Sequence, residues 1–136
     1  MHIVLFLALL LSQPTTAADD AQVQHAAATV AHLHDTMLDP ASFVLDGVYV
    51  TKPGKKGRVS YCYAYRSHNQ MGGYSAGRAA EDALDGGRLS TYQSDSDGDF
   101  PGYNIGWVAP CKAKNVAVDI TKAVSDAAPA LYRKER

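Results

Sequence analysis

The feature that most limits how this chain can fold is its pair of cysteines, Cys62 and Cys111, the only two in 136 residues. Two cysteines in an exported chain are most simply joined as a disulfide. That bond would close a loop of about 50 residues, for which the chain-entropy model gives roughly 4 kcal/mol of stabilisation. The alternative is two free thiols or a metal pair, although no Cys-x-x-Cys spacing is present. The cysteines therefore predict one domain whose middle is tied to a segment near its C-terminal end.

The N-terminus predicts export. Residues 3–11 form an unbroken apolar run, which is too short to cross a bilayer because a spanning helix needs roughly 20 apolar residues. A polar stretch follows and ends in Ala17 and Ala18, small residues of the kind found at signal-peptide cleavage sites. No Lys or Arg precedes the run, which departs from the usual pattern. We predict a signal peptide over 1–18 and a secreted or periplasmic domain over 19–136; a buried N-terminal element is the alternative.

Charge and hydropathy exclude two classes of partner. The chain carries 13 basic and 14 acidic residues, spread along its length, for a net charge of −1. This balance gives no electrostatic reason to expect nucleic acid or an anionic membrane as partner. No segment after the N-terminal run is apolar enough to predict a membrane span.

Hydrophobic periodicity predicts an α+β domain. Apolar residues recur at helical spacing over 21–38, with Asp19 and Asp20 placed to cap the helix and Pro40 to end it. β-branched and aromatic residues predict a strand over 42–51, and strict alternation predicts its hairpin partner over 58–66.

The C-terminal half predicts further strands and a second helix. Strand patterns cover 89–93, 103–108 and 116–118, and an amphipathic helix follows from Ile120 to Leu131, disturbed at Pro129. Residues 75–85 are ambiguous, because their composition favours a helix while their position after a hairpin favours a third strand. The predicted architecture is an N-terminal helix, an antiparallel sheet of about four strands and a C-terminal helix, with the helices on one sheet face.

A short motif at Gly73–Gly77 matches G-x-S-x-G, the nucleophile elbow of α/β-hydrolases. That elbow needs a buried strand directly before it and a histidine after the serine. Here the preceding residues are polar, and all five histidines precede Ser75. The glycines are therefore interpreted as turn or bulge positions, and no catalytic residue is predicted.

Two other clusters resemble metal sites. Asp95, Asp97 and Asp99 alternate as at the start of a calcium loop, but the glycine and glutamate of an EF-hand are missing from their positions. His25 and His32 share a helix face roughly 10 Å apart, too far for one ion, and His34 points away from His32. We predict a solvated turn, ordinary helix histidines, and no metal or other cofactor.

Eight tyrosines are the one compositional oddity. Tyr61, Tyr63 and Tyr65 alternate on one strand face, with Cys62 and Ala64 on the other. If the tyrosines face the helices they form core, which is the interpretation we favour. If a helix covers the small side instead, they form an exposed binding face for a sugar, peptide or protein.

Two segments resemble parts of uncharacterised small exported bacterial proteins. Residues 38–43 (LDPASF) resemble an L-x-D-P-x-S-F segment that follows the first helix of those proteins, and residues 62–74 are similar to their C-x-x-Y-R-x-x-N-x-x-G-G segment. The resemblance implies no activity and no site, but it favours a strand after Gly73. Asn69, Gly72 and Gly73 are interpreted as a turn that needs positive φ.

These observations predict a non-enzymatic exported domain with a binding or envelope role and a protein or glycan partner. A small secreted inhibitor or ligand-binding module that uses the tyrosine face is the alternative. A secreted hydrolase would need Ser75 or the carboxylates of Asp95–Asp99.

Overall fold

The computed structural model describes residues 19–82, 86–94 and 109–134. The described residues form an antiparallel sheet of five strands in the order β4-β3-β2-β1-β5 and two α-helices. The helices are α1 (Asp20–Thr36) and α2 (Thr121–Ala127), and the strands are β1 (Val44–Thr51), β2 (Tyr61–His68), β3 (Tyr74–Asp82), β4 (Arg88–Ser94) and β5 (Val116–Asp119). The predicted α+β architecture is confirmed, with five strands where about four were expected.

Helix α1 begins as its sequence predicts. The Asp19 side chain accepts the N–H of Ala21 at 3.0 Å and so caps the first turn. The helix ends at Thr36, two residues before the predicted limit, and a 3-10 turn (Pro40–Ser42) leads into β1. Its buried face is rich in alanine, which lets the helix lie close to the sheet; the buried residues are Val23, Ala26, Ala27, Val30, Ala31 and Leu33.

The core lies between the helices and one face of the sheet, called the inner face. Tyr63 is fully buried and Tyr65 is 3% exposed, both in the cluster that contains Val30 of α1 and Val124 of α2. The interpretation of these two tyrosines as core is confirmed. The alternative of an exposed tyrosine face is wrong for them, because both helices pack on the tyrosine side of the sheet.

Residues 75–82 belong to a strand and not to a helix. β3 pairs with β2 along its whole length, from His68↔Tyr74 to Tyr61↔Glu81, and with β4 on its other edge. Pairing on both sides satisfies the strand's backbone groups and overrides the helical preference of its alanines. Gly77 also fits this position, because a Cβ there would overlap the ring of Tyr65 across the strand pair.

The C-terminal helix is shorter than predicted. α2 ends at Ala127, and a 3-10 turn (Ala128–Leu131) follows. Pro129 lies in that turn, where its missing N–H cannot continue the α-helical hydrogen bonds. None of the described helices is long and apolar enough to cross a membrane. The predicted signal peptide (1–18), the aspartates of Asp95–Asp99 and the strand predicted over 103–108 lie outside the described residues.

Candidate ligand-binding face of the sheet

The face of the sheet opposite the helices, called the outer face, carries the small side of the β2 alternation. Cys62 and Ala64 point outward because Tyr63 and Tyr65 point into the core. The register brings Gly47 of β1 and Arg78 of β3 beside Ala64 on this face.

A disulfide between Cys62 and Cys111 crosses this face, as the sequence predicted. The two Cα atoms are 5.8 Å apart, and both side chains are buried beside Ala80 and Tyr49. The bond holds the chain around Cys111 against the centre of the sheet. The segment that follows leads into β5, which pairs with β1 at the sheet edge.

A groove of about 470 Å³ lies between this segment and the sheet. Ligand sites in proteins have volumes of about 300–1,000 Å³, so the groove is of a suitable size. It combines a phenol, a guanidinium and a carboxylate with apolar side chains; its described lining residues are Asp46, Tyr49, Ala64, Arg78, Cys111, Ala113 and Val116.

Small residues account for the groove. The short side chain of Ala64 forms the floor of the groove and fills little of it. Gly47 is paired with Ala64 in the register of β1 and β2. A Cβ at Gly47 would come within 2.6 Å of the Tyr49 hydroxyl, so the absence of a side chain at Gly47 lets the Tyr49 ring lie flat along β1. The ring therefore forms part of the groove lining.

A bulge in β1 brings Asp46 to the outer face. The pairing of β1 with β2 shifts register between Leu45 and Gly47, which leaves Asp46 as the extra residue. Its carboxylate accepts hydrogen bonds from Arg66 at 2.8, 3.0 and 3.1 Å, so both oxygens are engaged. The Asp46 carboxylate raises the pKa of Arg66, through a hydrogen bond first and through charge second.

An aromatic row continues from this ion pair toward the β2–β3 turn. The Arg66 guanidinium carbon lies 5.9 Å from the centroid of the Tyr74 ring, within cation–π range. The Tyr74 ring in turn contacts His68, with centroids 4.2 Å apart. Tyr74 is partly exposed, so this row extends the polar rim of the groove along the outer face.

The β2–β3 turn is fixed by Asn69. Its side-chain oxygen accepts the N–H groups of Met71 and Gly73 at 2.9 and 3.1 Å. Gly72 has a φ of +80°, which glycine adopts without strain. The interpretation of this stretch as a turn with positive φ is confirmed at Gly72; Gly73 is not among the residues with positive φ. Met71 stands at the tip, 94% exposed.

Two segments, residues 38–43 and residues 62–74, meet next to this turn. The N–H of His68 donates to the Ser42 hydroxyl at 2.7 Å, and that hydroxyl donates to the carbonyl of Asp39. The His68 ring also contacts the Asp39 carboxylate at 3.2 Å. Phe43 stacks on Tyr65 with centroids 5.6 Å apart. The two segments thus build one corner of the domain.

A second polar cluster lies on the inner face, around Glu81. Its carboxylate accepts the hydroxyls of Tyr63 and Thr29, the latter at 2.8 Å, and lies 2.8 Å from Nε2 of His25. Burial is the main cause that raises the pKa of Tyr63 far above the usual value for a tyrosine. The hydrogen bond to Glu81 and the negative charge of Glu81 raise this pKa further. This cluster joins α1 to β2 and β3.

Tyr61, the third residue of the predicted binding face, lies at the edge of this cluster. Its ring contacts the His25 ring with centroids 4.6 Å apart. Burial raises the pKa of Tyr61, and the charge of Glu81 adds to the shift. Tyr61 is only partly buried, but with Tyr63 and Tyr65 in the core the three do not form one exposed face.

The remaining sequence candidates are dispersed. Ser75 lies inside β3 opposite Ser67, so it is not at a strand-to-helix elbow, and its hydroxyl accepts a hydrogen bond from Asn69 at 3.2 Å. His34 stacks on Tyr132 with centroids 3.6 Å apart and contacts Asp35. His32 is exposed on α1.

The groove residues Asp46, Tyr49 and Arg78 are missed by reasoning from the sequence. A signal was present in the outward positions of β2 and β3, four of which are small: Cys62, Ala64, Ala76 and Ala80. Small residues grouped on a sheet face leave space for a further layer or a cleft. Comparison with known proteins finds no family model, no curated protein and no solved structure that matches the chain.

Proposed function

We propose that this protein is an exported, non-enzymatic binding domain whose ligand or partner occupies the outer-face groove. The observation that carries the proposal is the groove itself, about 470 Å³ beside Tyr49 and Arg78 on the sheet face without helices. The signal peptide predicted over 1–18 and the Cys62–Cys111 disulfide support export, because disulfides persist in oxidising compartments.

Binding accounts for the groove better than catalysis does. A general base must have an oxygen or nitrogen able to take a proton from the substrate. The groove carboxylate, Asp46, has both oxygens hydrogen-bonded to Arg66. An ion pair of this kind suits a fixed binding surface.

A small secreted inhibitor is the second candidate, now based on the β2–β3 turn. Met71 projects from a turn whose shape is set by hydrogen bonds to Asn69. A turn whose backbone is held in place before binding loses less conformational entropy when its tip enters a partner's pocket. A loss of partner binding on Met71→Gln that Ala64→Leu does not reproduce would favour this candidate over the groove.

Ala64→Leu tests the groove, because the added side chain occupies its floor. The matched control is Ala28→Leu, at an exposed position of α1. We would follow thermal unfolding of wild type and both variants with calcium, zinc, neutral and acidic oligosaccharides, cell-wall fragments and short peptides. A ligand at 100 times its Kd stabilises by about 2.7 kcal/mol, which raises the Tm of a domain this size by several degrees.

We expect one class of probe to raise the Tm of wild type and of Ala28→Leu, and to leave Ala64→Leu unchanged. A shift of the same size in all three proteins would place the ligand elsewhere; with calcium it would point to Asp95–Asp99. No shift with any probe would count against a small ligand in the groove.

A further inference from the structure

We propose that Met71, at the tip of the β2–β3 turn, is a selective oxidation site: hydrogen peroxide converts its thioether to a sulfoxide and leaves the fold intact. Such a site goes beyond the proposed function, because it requires no ligand in the outer-face groove. Three observations carry it: the chemical state of the sulfur atoms, the contrast between Met71 and Met37, and the hydrogen bonds that hold the turn.

Few sulfur atoms of this chain can accept oxygen. The chain has two cysteines and three methionines. Both cysteines are joined in the disulfide and their side chains are buried, so neither offers a thiol to the oxidant. Met1 lies in the signal peptide predicted over 1–18. The thioethers of the predicted mature domain are therefore those of Met37 and Met71.

Met37 is protected by its surroundings. Its side chain is partly buried against the core cluster at the end of α1. The Ser67 hydroxyl donates to Sδ of Met37 at 3.3 Å and so occupies a lone pair that oxidation would use. A sulfoxide at this position would also place a polar oxygen against apolar side chains, which costs free energy. Oxidation of Met37 is therefore slow and destabilising.

Met71 has the opposite surroundings, because it is 94% exposed and peroxide reaches its sulfur from solvent. The sulfur lone pair attacks one peroxide oxygen, so that an S–O bond forms and the O–O bond breaks. The proton on the transferred oxygen passes to the leaving hydroxide, which gives water. The thioether is oxidised to the sulfoxide and the peroxide is reduced. The reaction needs no catalytic group of the protein, so exposure decides which methionine reacts first.

The turn does not depend on the Met71 thioether for its described hydrogen bonds. The Asn69 side-chain oxygen accepts the N–H groups of Met71 and Gly73. The N–H of Asn69 donates to the carbonyl of Gly73 at 2.7 Å, and the N–H of Gly72 donates to the carbonyl of Asn69 at 3.1 Å. Oxidation at Sδ changes none of these atoms. The sulfoxide therefore leaves the turn and the fold unchanged.

Oxidation changes the surface at this corner of the domain. Leu38 is 66% exposed and Tyr74 is 42% exposed. They lie near each other, because Asp39, next to Leu38, contacts His68, and the His68 ring contacts Tyr74. Met71 is the most exposed apolar residue of this corner, and its sulfoxide is polar. Exposed apolar patches bind other apolar surfaces, so peroxide should weaken such binding here.

The first test measures which methionine reacts. The disulfide-bonded protein is treated with dilute hydrogen peroxide, and oxygen addition to each methionine is followed by peptide mass spectrometry. We expect Met71 to be oxidised roughly tenfold faster than Met37 in the folded protein. In urea the two rates should become similar, because the folded surroundings are gone. The Tm should stay within about one degree while Met71 reacts and fall when Met37 reacts.

Two variants test the change of surface. Met71→Leu keeps an apolar tip without sulfur, and Met71→Gln makes the tip polar without oxidation. Retention on a phenyl resin reports the apolar character of the surface. At a peroxide dose that oxidises Met71 alone, we expect the retention of wild type to fall to that of Met71→Gln. The retention of Met71→Leu should not change.

Four results would overturn the proposal. Equal oxidation rates of Met37 and Met71 in the folded protein would show that the fold does not select the site. A fall in Tm in step with Met71 oxidation would show that the fold depends on the thioether. Unchanged retention of oxidised wild type, or an equal loss in Met71→Leu, would show that Met71 does not control this surface.

These outcomes are independent of the groove. Ala64→Leu, which occupies the groove floor, should leave the oxidation rate of Met71 unchanged, because the turn tip is reached directly from solvent. Failure of the groove as a binding site and failure of Met71 as an oxidation site are therefore distinguishable.

Discussion

On the inner face of the sheet the Glu81 side chain is 10% exposed and contacts His25, Thr29 and Tyr63. On the outer face the Asp46 side chain is 38% exposed and contacts Arg66. In both carboxylates each oxygen forms a hydrogen-bond contact with a protein side chain. The two carboxylates differ in how much of their contact with solvent was lost on folding. Removing a buried carboxylate's water is expensive unless every lost hydrogen bond is replaced.

This difference separates a stabilising cluster from a binding surface. Of the partners of Glu81, Tyr63 is fully buried, Thr29 is partly buried and His25 is exposed. Losing the carboxylate would therefore leave the Tyr63 and Thr29 hydroxyls without their acceptor. The partners of Asp46 reach solvent, where water replaces a lost contact. The polar contacts of Glu81 on the inner face therefore bear on the stability of the fold, while the Asp46–Arg66 ion pair on the outer face stays in contact with solvent.

The largest loss of stability is expected when the Cys62–Cys111 disulfide on the outer face is removed. Replacing both cysteines, Cys62→Ser with Cys111→Ser, removes a cross-link between positions 49 residues apart. We expect a loss of about 4 kcal/mol in the free energy of unfolding, measured in urea. Reduction of the wild type should give a similar loss. A loss below about 1 kcal/mol would mean that the outer face contributes little to stability even through its disulfide.

The second largest loss of stability is expected when the Glu81 carboxylate on the inner face is removed. Glu81→Ala should lower the free energy of unfolding by about 3 kcal/mol, because it leaves buried hydroxyls without an acceptor and opens space in the core. Asp46→Ala is the matched variant on the outer face. Equal losses of stability in the two variants, measured by urea unfolding, would remove the distinction between the faces.

Alkaline pH should weaken the inner cluster. The pKa of Tyr63 is raised in the folded protein, and in the unfolded chain it is close to 10. Its contribution is fully present below pH 10 and is lost above it, as the unfolded tyrosine ionises and the folded one does not. We expect Tyr63 to make the free energy of unfolding fall by about 1.4 kcal/mol per pH unit above pH 10. In Tyr63→Phe the fall should be shallower by that amount, and an unchanged slope would contradict the assignment.

The smallest change in stability is expected when the Asp46–Arg66 ion pair on the outer face is broken. Asp46→Asn removes the charge that neutralises Arg66 but keeps the shape of the side chain. Because this pair is exposed, we expect no resolvable change in Tm. A clear fall in Tm would show that the outer ion pair is structural and would weaken its assignment to a binding surface.

Local signals in the sequence were sufficient for most of the fold. The alternation of Tyr61, Tyr63 and Tyr65 predicted a strand, and Asp19 predicted the start of α1. The two cysteines predicted the cross-link. Each of these signals lies within a few residues or depends on a single pair, so no knowledge of the tertiary arrangement was needed.

Other features depended on which elements became neighbours. The alanines of 75–82 favoured a helix locally, and only pairing on both edges made this segment a strand. The sequence could not place the helices above the tyrosines of β2, because alternation defines two faces without stating which one is covered.

The candidate site belongs to this second group. Asp46 and Tyr49 lie in β1 and Arg78 about 30 residues later in β3, and each looks like an ordinary strand residue by itself. A bulge turned Asp46 outward, Gly47 made room for the Tyr49 ring, and the disulfide brought Ala113 and Val116 opposite them. By itself the sequence determined the β1–β2 hairpin, the first helix and the cross-link, because these follow from local periodicity and cysteine chemistry. The tertiary structure alone decided which sheet face stays open, because that depends on long-range packing.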